Sequence, residues 1–195
     1  MLEHLGIPNH HWPLDIYRHK VYKDGDGNSV MGADNQQERL DGNWIAGFVD
    51  GEGCFHISIN KISSMSLGWQ VLPEFRIVQH EKNEQVLSKI KEYFGFGDVK
   101  VNRTDYHGTR KEFRVRGLEN LNKLIAFFRT YKLETSKKKD FEVFSQVIQL
   151  MNNKKHLTKE GLKDIAKLIS TMNRQPISKY LESSETIRQT QNVKI

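Results

Sequence analysis

Apolar and polar side chains alternate in two runs near the middle of the chain. Between Cys54 and Asn60, Phe55, Ile57 and Ile59 fall on one side and His56, Ser58 and Asn60 on the other. A period of two predicts a strand with one buried and one polar face. Trp69 to Gln79 repeats the pattern, with Val71, Phe75 and Ile77 set against Gln70, Leu72, Glu74 and Arg76. Its Pro73 predicts an edge position or a bulge, because proline cannot donate to a ladder. Two further runs, Asp98 to Thr104 and Lys111 to Arg116, predict strands joined by a turn at Asp105-Tyr106-His107-Gly108.

Other segments repeat at helical spacing. Glu84 to Phe94 carries Val86, Leu87, Ile90, Tyr93 and Phe94 as one stripe, and Gly95 and Gly97 end it. Leu118 to Tyr131, Ser136 to Met151 and Thr158 to Met172 predict three more helices. A shorter helix starts after Asp41, whose carboxylate suits an N-cap, and carries Trp44, Ile45, Phe48 and Val49. The glycines of Asp50-Gly51-Glu52-Gly53 are expected to stop it in a tight turn. From Gly42 the order is helix, two strands, helix, two strands, helix, then more helices. That order predicts an α+β fold, with both strand pairs in one antiparallel sheet of four strands. One face packs on helices and the other is polar. The turn between Asp50 and Gly53 has no second copy, so the chain shows no internal duplication.

Residues 1–40 lack this patterning and read as an irregular N-terminal arm, 41–175 as the main domain and 176–195 as a polar tail with a short helix near Glu182 to Gln189. Asp24, Asp26 and Asn28 are spaced like the opening of a calcium loop. Ser29 and Asn35 stand where that loop needs Gly and Glu, so a polar turn is the better reading. His10 and His11 are neighbours and would not converge on one metal in a regular element.

Composition narrows the classes. Lys+Arg 30 against Asp+Glu 24 leaves a net charge of +6, which favours a polyanion partner only weakly. One cysteine, Cys54, excludes an internal disulfide and a cysteine-rich zinc site. No apolar run approaches the roughly 20 residues that span a bilayer, and Met1 to Tyr17 does not read as a signal peptide. The expected setting is intracellular with no membrane partner, either a bacterial cytoplasm or an organelle.

The segment Trp44-Ile-Ala-Gly-Phe-Val-Asp-Gly-Glu-Gly53 is where chemistry concentrates. Ile45 to Gly53 resembles the LAGLIDADG motif position by position, with Asp50 at its first acid and Glu52 at its second. The order of elements from Asp41 to Gln149 resembles that family too. The resemblance implies a homing endonuclease that cuts double-stranded DNA. With one motif per chain it implies a homodimer, its two motif helices packed at the symmetry axis through Ile45, Ala46, Gly47 and Val49. Small residues such as Ala46 and Gly47 let helices approach closely. It further implies a metal group of Glu52, with Gly51 and Asp50 beside it, holding Mg2+ or another divalent cation such as Mn2+. Two carboxylates near one axis repel unless a cation lies between them. Glutamate at position 52, where the family's name has aspartate, reaches one carbon further. Asp50 is read as stabilising the turn.

The same resemblance gives Gln79, at the end of the second strand, a water-orienting role, and leaves the role of Asn83 open. In Leu133 to Phe141, Lys137 is the first choice and Lys138 the second for a lysine facing the scissile phosphate. The polar strand face then acquires a use, since an antiparallel ribbon can enter a major groove and meet base edges. It is expected to expose His56, Ser58, Asn60, Gln70, Glu74, Arg76, Lys100, Asn102, Arg110, Glu112, Arg114 and Arg116. Two other functions fit the same fold: an RNA maturase that assists intron folding, and a regulator that binds DNA without cutting.

Overall fold

The computed structural model describes residues 21–23, 29–31, 40–172 and Tyr180. The chain forms two compact units, Met1–Arg39 and Leu40–Ile195. In the first, β1 (Val21–Lys23) pairs antiparallel with β2 (Ser29–Met31), Val21 opposite Met31. The expected irregular arm thus contains a short ladder. The polar turn at Asp24 to Asn28, His10, His11 and the expected tail helix lie outside the described residues.

The second unit is α+β, as the patterning predicts. Its elements are α1 (Gly42–Glu52), β3 (Gly53–Lys61), β4 (Trp69–His80), α2 (Glu84–Phe94), β5 (Asp98–Asp105), β6 (Gly108–Val115), α3 (Leu118–Thr130), α4 (Lys137–Asn152) and α5 (Lys159–Ile169). The four strands form one antiparallel sheet in the order β3-β4-β6-β5. Helices cover the face carrying Phe55, Ile57, Phe75, Ile77, Phe113 and Val115, all buried. Phe55 is the hub of this core, with ring centroids 5.1 Å from Phe75, 5.6 Å from Phe128, 5.5 Å from Phe141 and 5.4 Å from Phe144. Its neighbours come from β4, α3 and α4, so one side chain ties the sheet to two helices. Such aromatic contacts add to the burial that drives folding.

Pro73 does not mark an edge strand, since β4 lies inside the sheet. Pairing with β6 covers only Phe75 to His80, however, while Pro73 sits opposite Ile57 of β3. The strand is interior at one end and an edge at the other, and proline falls in the half with one neighbour.

The motif helix also differs from expectation. Asp41 caps it, accepting from the Trp44 amide at 2.8 Å, but the helix does not stop at Gly51. It runs through Glu52 and passes into β3 without an intervening loop. Gly53, extended at φ −73° and ψ 156°, makes this junction possible. A β-carbon there would lie 2.5 Å from Val49 Cγ1 and 2.9 Å from the Val49 carbonyl oxygen. Both acids of the motif therefore lie in the last helical turn, fixed to a strand.

Candidate active site and nucleic-acid interface

The two acids of α1 have different surroundings. Asp50 turns back onto its own chain. One carboxylate oxygen accepts from the Glu134 amide at 2.8 Å; the other accepts from the Thr135 hydroxyl at 2.7 Å and the Thr135 amide at 3.3 Å. It fastens the α3–α4 connection to the end of α1. Glu52 is exposed and, among the described residues, has no hydrogen-bond or ion-pair partner.

That connection delivers Lys137, the first residue of α4. Its ammonium donates to the carbonyl oxygens of Asp50 at 3.0 Å and Gly51 at 3.1 Å. These are carbonyls of the final turn, where the helix carries its partial negative charge and lacks intrahelical donors. Lys138 and Lys139 are exposed. The geometry separates the two candidate lysines: Lys137 is bonded at the acidic helix end, whereas, among the described residues, Lys138 makes no bond there.

Gln79 belongs to the same end of the sheet. Gly53 pairs with Ile77, so Gln79 lies two residues further, level with the close of α1. Its side-chain oxygen accepts from the Asn83 amide at 3.4 Å. Asn83, whose role the sequence leaves open, thus orients Gln79.

The outward side of α1 bears on the expected helix–helix contact. Ile45 and Val49 are 0% exposed and Ala46 is 4% exposed within a single chain. They are packed into the chain's own core. The side left open carries Trp44, Gly47, Phe48 and Gly51. Trp44 is 43% exposed and stacks on Phe48 with centroids 5.0 Å apart. A β-carbon at Gly47 or Gly51 would meet nothing within 4 Å. Of the four residues expected at this contact, only Gly47 faces outward. An aromatic at Trp44, three residues before Gly47, was the signal available in the sequence.

The open sheet face carries most of the expected polar set. Asn60, Lys100, Arg110 and Arg116 are exposed, and His56, Ser58, Gln70, Arg76, Asn102 and Arg114 are half-buried. Glu74 and Glu112 depart from this: they lie on that face by register but are 5% and 0% exposed. Arginines cover them. Glu74 accepts from Arg116 Nε at 2.7 Å and pairs with Arg116 Nη2 at 2.6 Å and Arg76 Nε at 3.2 Å. Glu112 pairs with Arg114 and accepts from the Asn102 amide at 2.8 Å. Alternation cannot reveal such burial, because it assigns a face but not what lies above it.

Alternation also misses Arg103. The β5–β6 register shifts between Val101 and Arg103, which places Arg103 opposite Arg110 on the open face. A bulge of this kind leaves no mark in a binary pattern. Cys54, opposite Arg76, is likewise on this face and exposed.

Burial would raise the Glu74 pKa, but the Arg116 hydrogen bond and the charges of Arg76, Arg116 and Arg114 outweigh it and hold it below its ordinary 4.5. His56, opposite Glu74, is lowered from 6.5 by burial and by Arg76, against the pull of Glu74. Both shifts have the same sign for folding. As pH falls the unfolded chain takes up each proton first, so stability drops. The His56 contribution is lost from about 6.5 downward through its lowered folded value, and that of Glu74 from about 4.5 downward. Urea midpoints measured from pH 7 to pH 4 should fall in two stages; His156, also lowered from 6.5 by burial, shares the upper one, so His56→Gln should shrink that stage and leave the lower one in place.

A helix with an open outer side, an exposed acid at its end and an arginine-covered sheet thus stand together in one chain. Residues 45–148 match the sequence model described as LAGLIDADG endonuclease. The chain belongs to the LAGLIDADG endonuclease family. A probable intron-encoded endonuclease 3 from Neurospora crassa is 36% identical over 132 residues, which is 67% of this chain and 24% of that protein. The chain therefore spans about a quarter of the length of that curated relative. Among solved structures, the homing endonuclease I-TnaI superposes with a TM-score of 0.66 at 39% identity, covering 79% of this chain and 97% of that one. I-SmaMI, bound to uncleaved target DNA in the presence of calcium ions, superposes with a TM-score of 0.68 at 30% identity. That match covers 74% of this chain and 48% of that one. The LAGLIDADG helix is α1, and the sheet beside it is the four-stranded one described above.

Proposed function

We propose that this LAGLIDADG chain is a site-specific homing endonuclease, acting as a homodimer on a long, partly palindromic double-stranded DNA site. It hydrolyses both strands with a short stagger in the presence of a divalent cation. The observation that carries this reading is Glu52: an exposed, unpartnered carboxylate in the last turn of a helix whose outer face is bare at two glycines. A helix so shaped suits close approach of a second copy, and twofold symmetry would then bring two Glu52 side chains together.

The donors at this end fit a hard cation. Glu52 and the Gly51 and Asp50 carbonyls offer oxygen only, the set that suits Mg2+ or Mn2+, and the Lys137 ammonium seated on those two carbonyls shows that they attract positive charge. Among the described residues no three His, Cys, Asp or Glu side chains group together, so one chain would need the partner's acid, water and phosphate oxygens to complete a shell. When bound, the ion supplies Lewis-acid stabilisation and an acidified water. Glu52 would hold it, Asp50 keeps the surrounding backbone in place, and Gln79 would orient water. Lys137, now on the Asp50 and Gly51 carbonyls, brings its positive charge to where a phosphate gains negative charge. The open sheet face would supply groove contacts, and the setting is an intron-encoded gene within an organelle.

The test is incubation of the full chain with Mg2+ and DNA of the uninterrupted host gene, alongside filter binding to the intron RNA. Double-strand cleavage supports the proposal. Tight RNA binding without metal-dependent cutting overturns it in favour of a maturase.

The homodimer has its own test. A β-carbon at position 47 meets nothing within 4 Å and leucine favours helix over glycine, so Gly47→Leu should fold about as well as wild type. It should sediment as a monomer of 22.8 kDa and bind the full site about a hundredfold more weakly, because two linked half-site contacts become independent. A dimer with unchanged affinity would rule out this face.

A further inference from the structure

Two buried carboxylates beneath a surface meant for a polyanion need a reason. Exposed, Glu74 and Glu112 would repel phosphate; covered, they can do something else. Their ion pairs are directional. Arg116 gives Glu74 its Nε and one Nη2 hydrogen, which occupies one edge of the guanidinium and leaves Nη1 and the second Nη2 hydrogen on the other. Its side chain stays 46% exposed. Arg76 meets the other Glu74 oxygen through Nε, its side chain 27% exposed. Arg114, 18% exposed, lies beneath between Glu112 and Glu74. Asn102 spends its amide nitrogen on Glu112, leaving its oxygen as acceptor.

An arginine whose one edge is clamped by a carboxylate is a rigid two-pronged donor, the partner that guanine O6 and N7 accept in a major groove. We propose that Glu74 and Glu112 are positioning residues that clamp Arg76, Arg114 and Arg116 into a platform, from which Arg116 and Arg76 read guanines in each half-site. This rests on the reading of the sheet as the DNA-binding face. It adds the base class read and two acidic residues that set specificity without touching DNA. Register locates the platform: Arg76 is opposite Arg114 on the two inner strands, and Arg116 follows β6 on the side away from the acidic end of α1.

The charges give the proposal a signature that a merely structural role lacks. Three arginines and two glutamates sum to +1. Glu74→Gln removes a negative charge and the clamp together. Affinity for arbitrary DNA should hold or rise, because phosphate attraction grows with net positive charge. Discrimination for guanine should fall by about tenfold at the positions read by Arg116 and Arg76, within the range one bidentate contact supplies. A variant that was only unfolded would lose both.

The experiment is selection of bound duplexes from a randomised DNA library by the full-length chain, followed by sequencing, for wild type, Glu74→Gln, Arg116→Lys and the exposed control Glu119→Gln. Wild type and the control should select a motif containing guanines. Glu74→Gln and Arg116→Lys should lose that preference while nonspecific binding persists. Arg116→Lys keeps the charge at a half-exposed site, so it decides the matter if Glu74→Gln does not fold. A wild-type motif without guanines, or one unchanged in both variants, overturns the platform alone. No enriched motif for wild type overturns the DNA-reading face itself.

Discussion

Glu52→Gln should slow strand cleavage by at least about a thousandfold while leaving affinity for target DNA unchanged or slightly higher in metal-free buffer. The two effects diverge because the carboxylate has no structural duty. It is exposed and makes no hydrogen bond or ion pair among the described residues, so its loss costs the fold little. Without metal it only repels phosphate; with metal it is the one side-chain carboxylate of the motif left available, since Asp50 is committed to the backbone. Glutamine matches its shape but cannot neutralise a divalent cation. Single-turnover cleavage and equilibrium binding, measured on one preparation, read both quantities. Cleavage at wild-type rate with saturating Mg2+ would mean that the reaction is carried elsewhere.

The neighbouring acid should show the reverse. Asp50→Ala removes three hydrogen bonds, two from backbone amides and one from the Thr135 hydroxyl, that fasten the Glu134–Thr135 segment to the end of α1. Each bond to a charged acceptor contributes roughly 1.5–3 kcal/mol before discounting for exposure, so a combined loss of about 2–4 kcal/mol is expected. In a domain of this size that corresponds to a fall in Tm of roughly 5–15 °C. Cleavage should also decline well below the melting range, because Lys137 follows directly on the released segment. Asp50→Asn, which keeps one acceptor, should fall between. Thermal melts and cleavage rates at a temperature where both variants stay folded separate the two losses. A variant with wild-type Tm would show that the connection is held by other contacts.

These paired outcomes also mark how far residue patterns alone could go. Alternation in β3 and β4 and the three-to-four spacing in α2 and α3 are written in side-chain polarity, and they located those elements closely. The junction at Gly53 was not legible. A glycine pair flanking an acid ordinarily ends a helix, whereas here one glycine stays in the helix and the next opens the strand. Nor was the inward face of α1, because Ala46 and Gly47 are both small and only three dimensions show which one is covered. Glu74 and Glu112 illustrate a further limit. Their face followed from spacing, but their burial depends on how Arg116 and Arg76 close over Glu74 and Arg114 over Glu112, a fact of tertiary packing. The shift at Arg103 is the same kind of omission, since one extra residue moves every later side chain across the sheet.

The direct passage from α1 into β3 has a mechanical consequence. The surface proposed to meet a second protomer and the ribbon proposed to enter the groove are successive parts of one stiff member, with Glu52 at the weld. Nothing flexible separates them, so any change in how two protomers cross would rotate both ribbons and shift both acids together. Target spacing and cut position would then move in step. Anyone grafting this helix onto another scaffold should expect to retune the groove contacts too, rather than exchange the halves as independent parts.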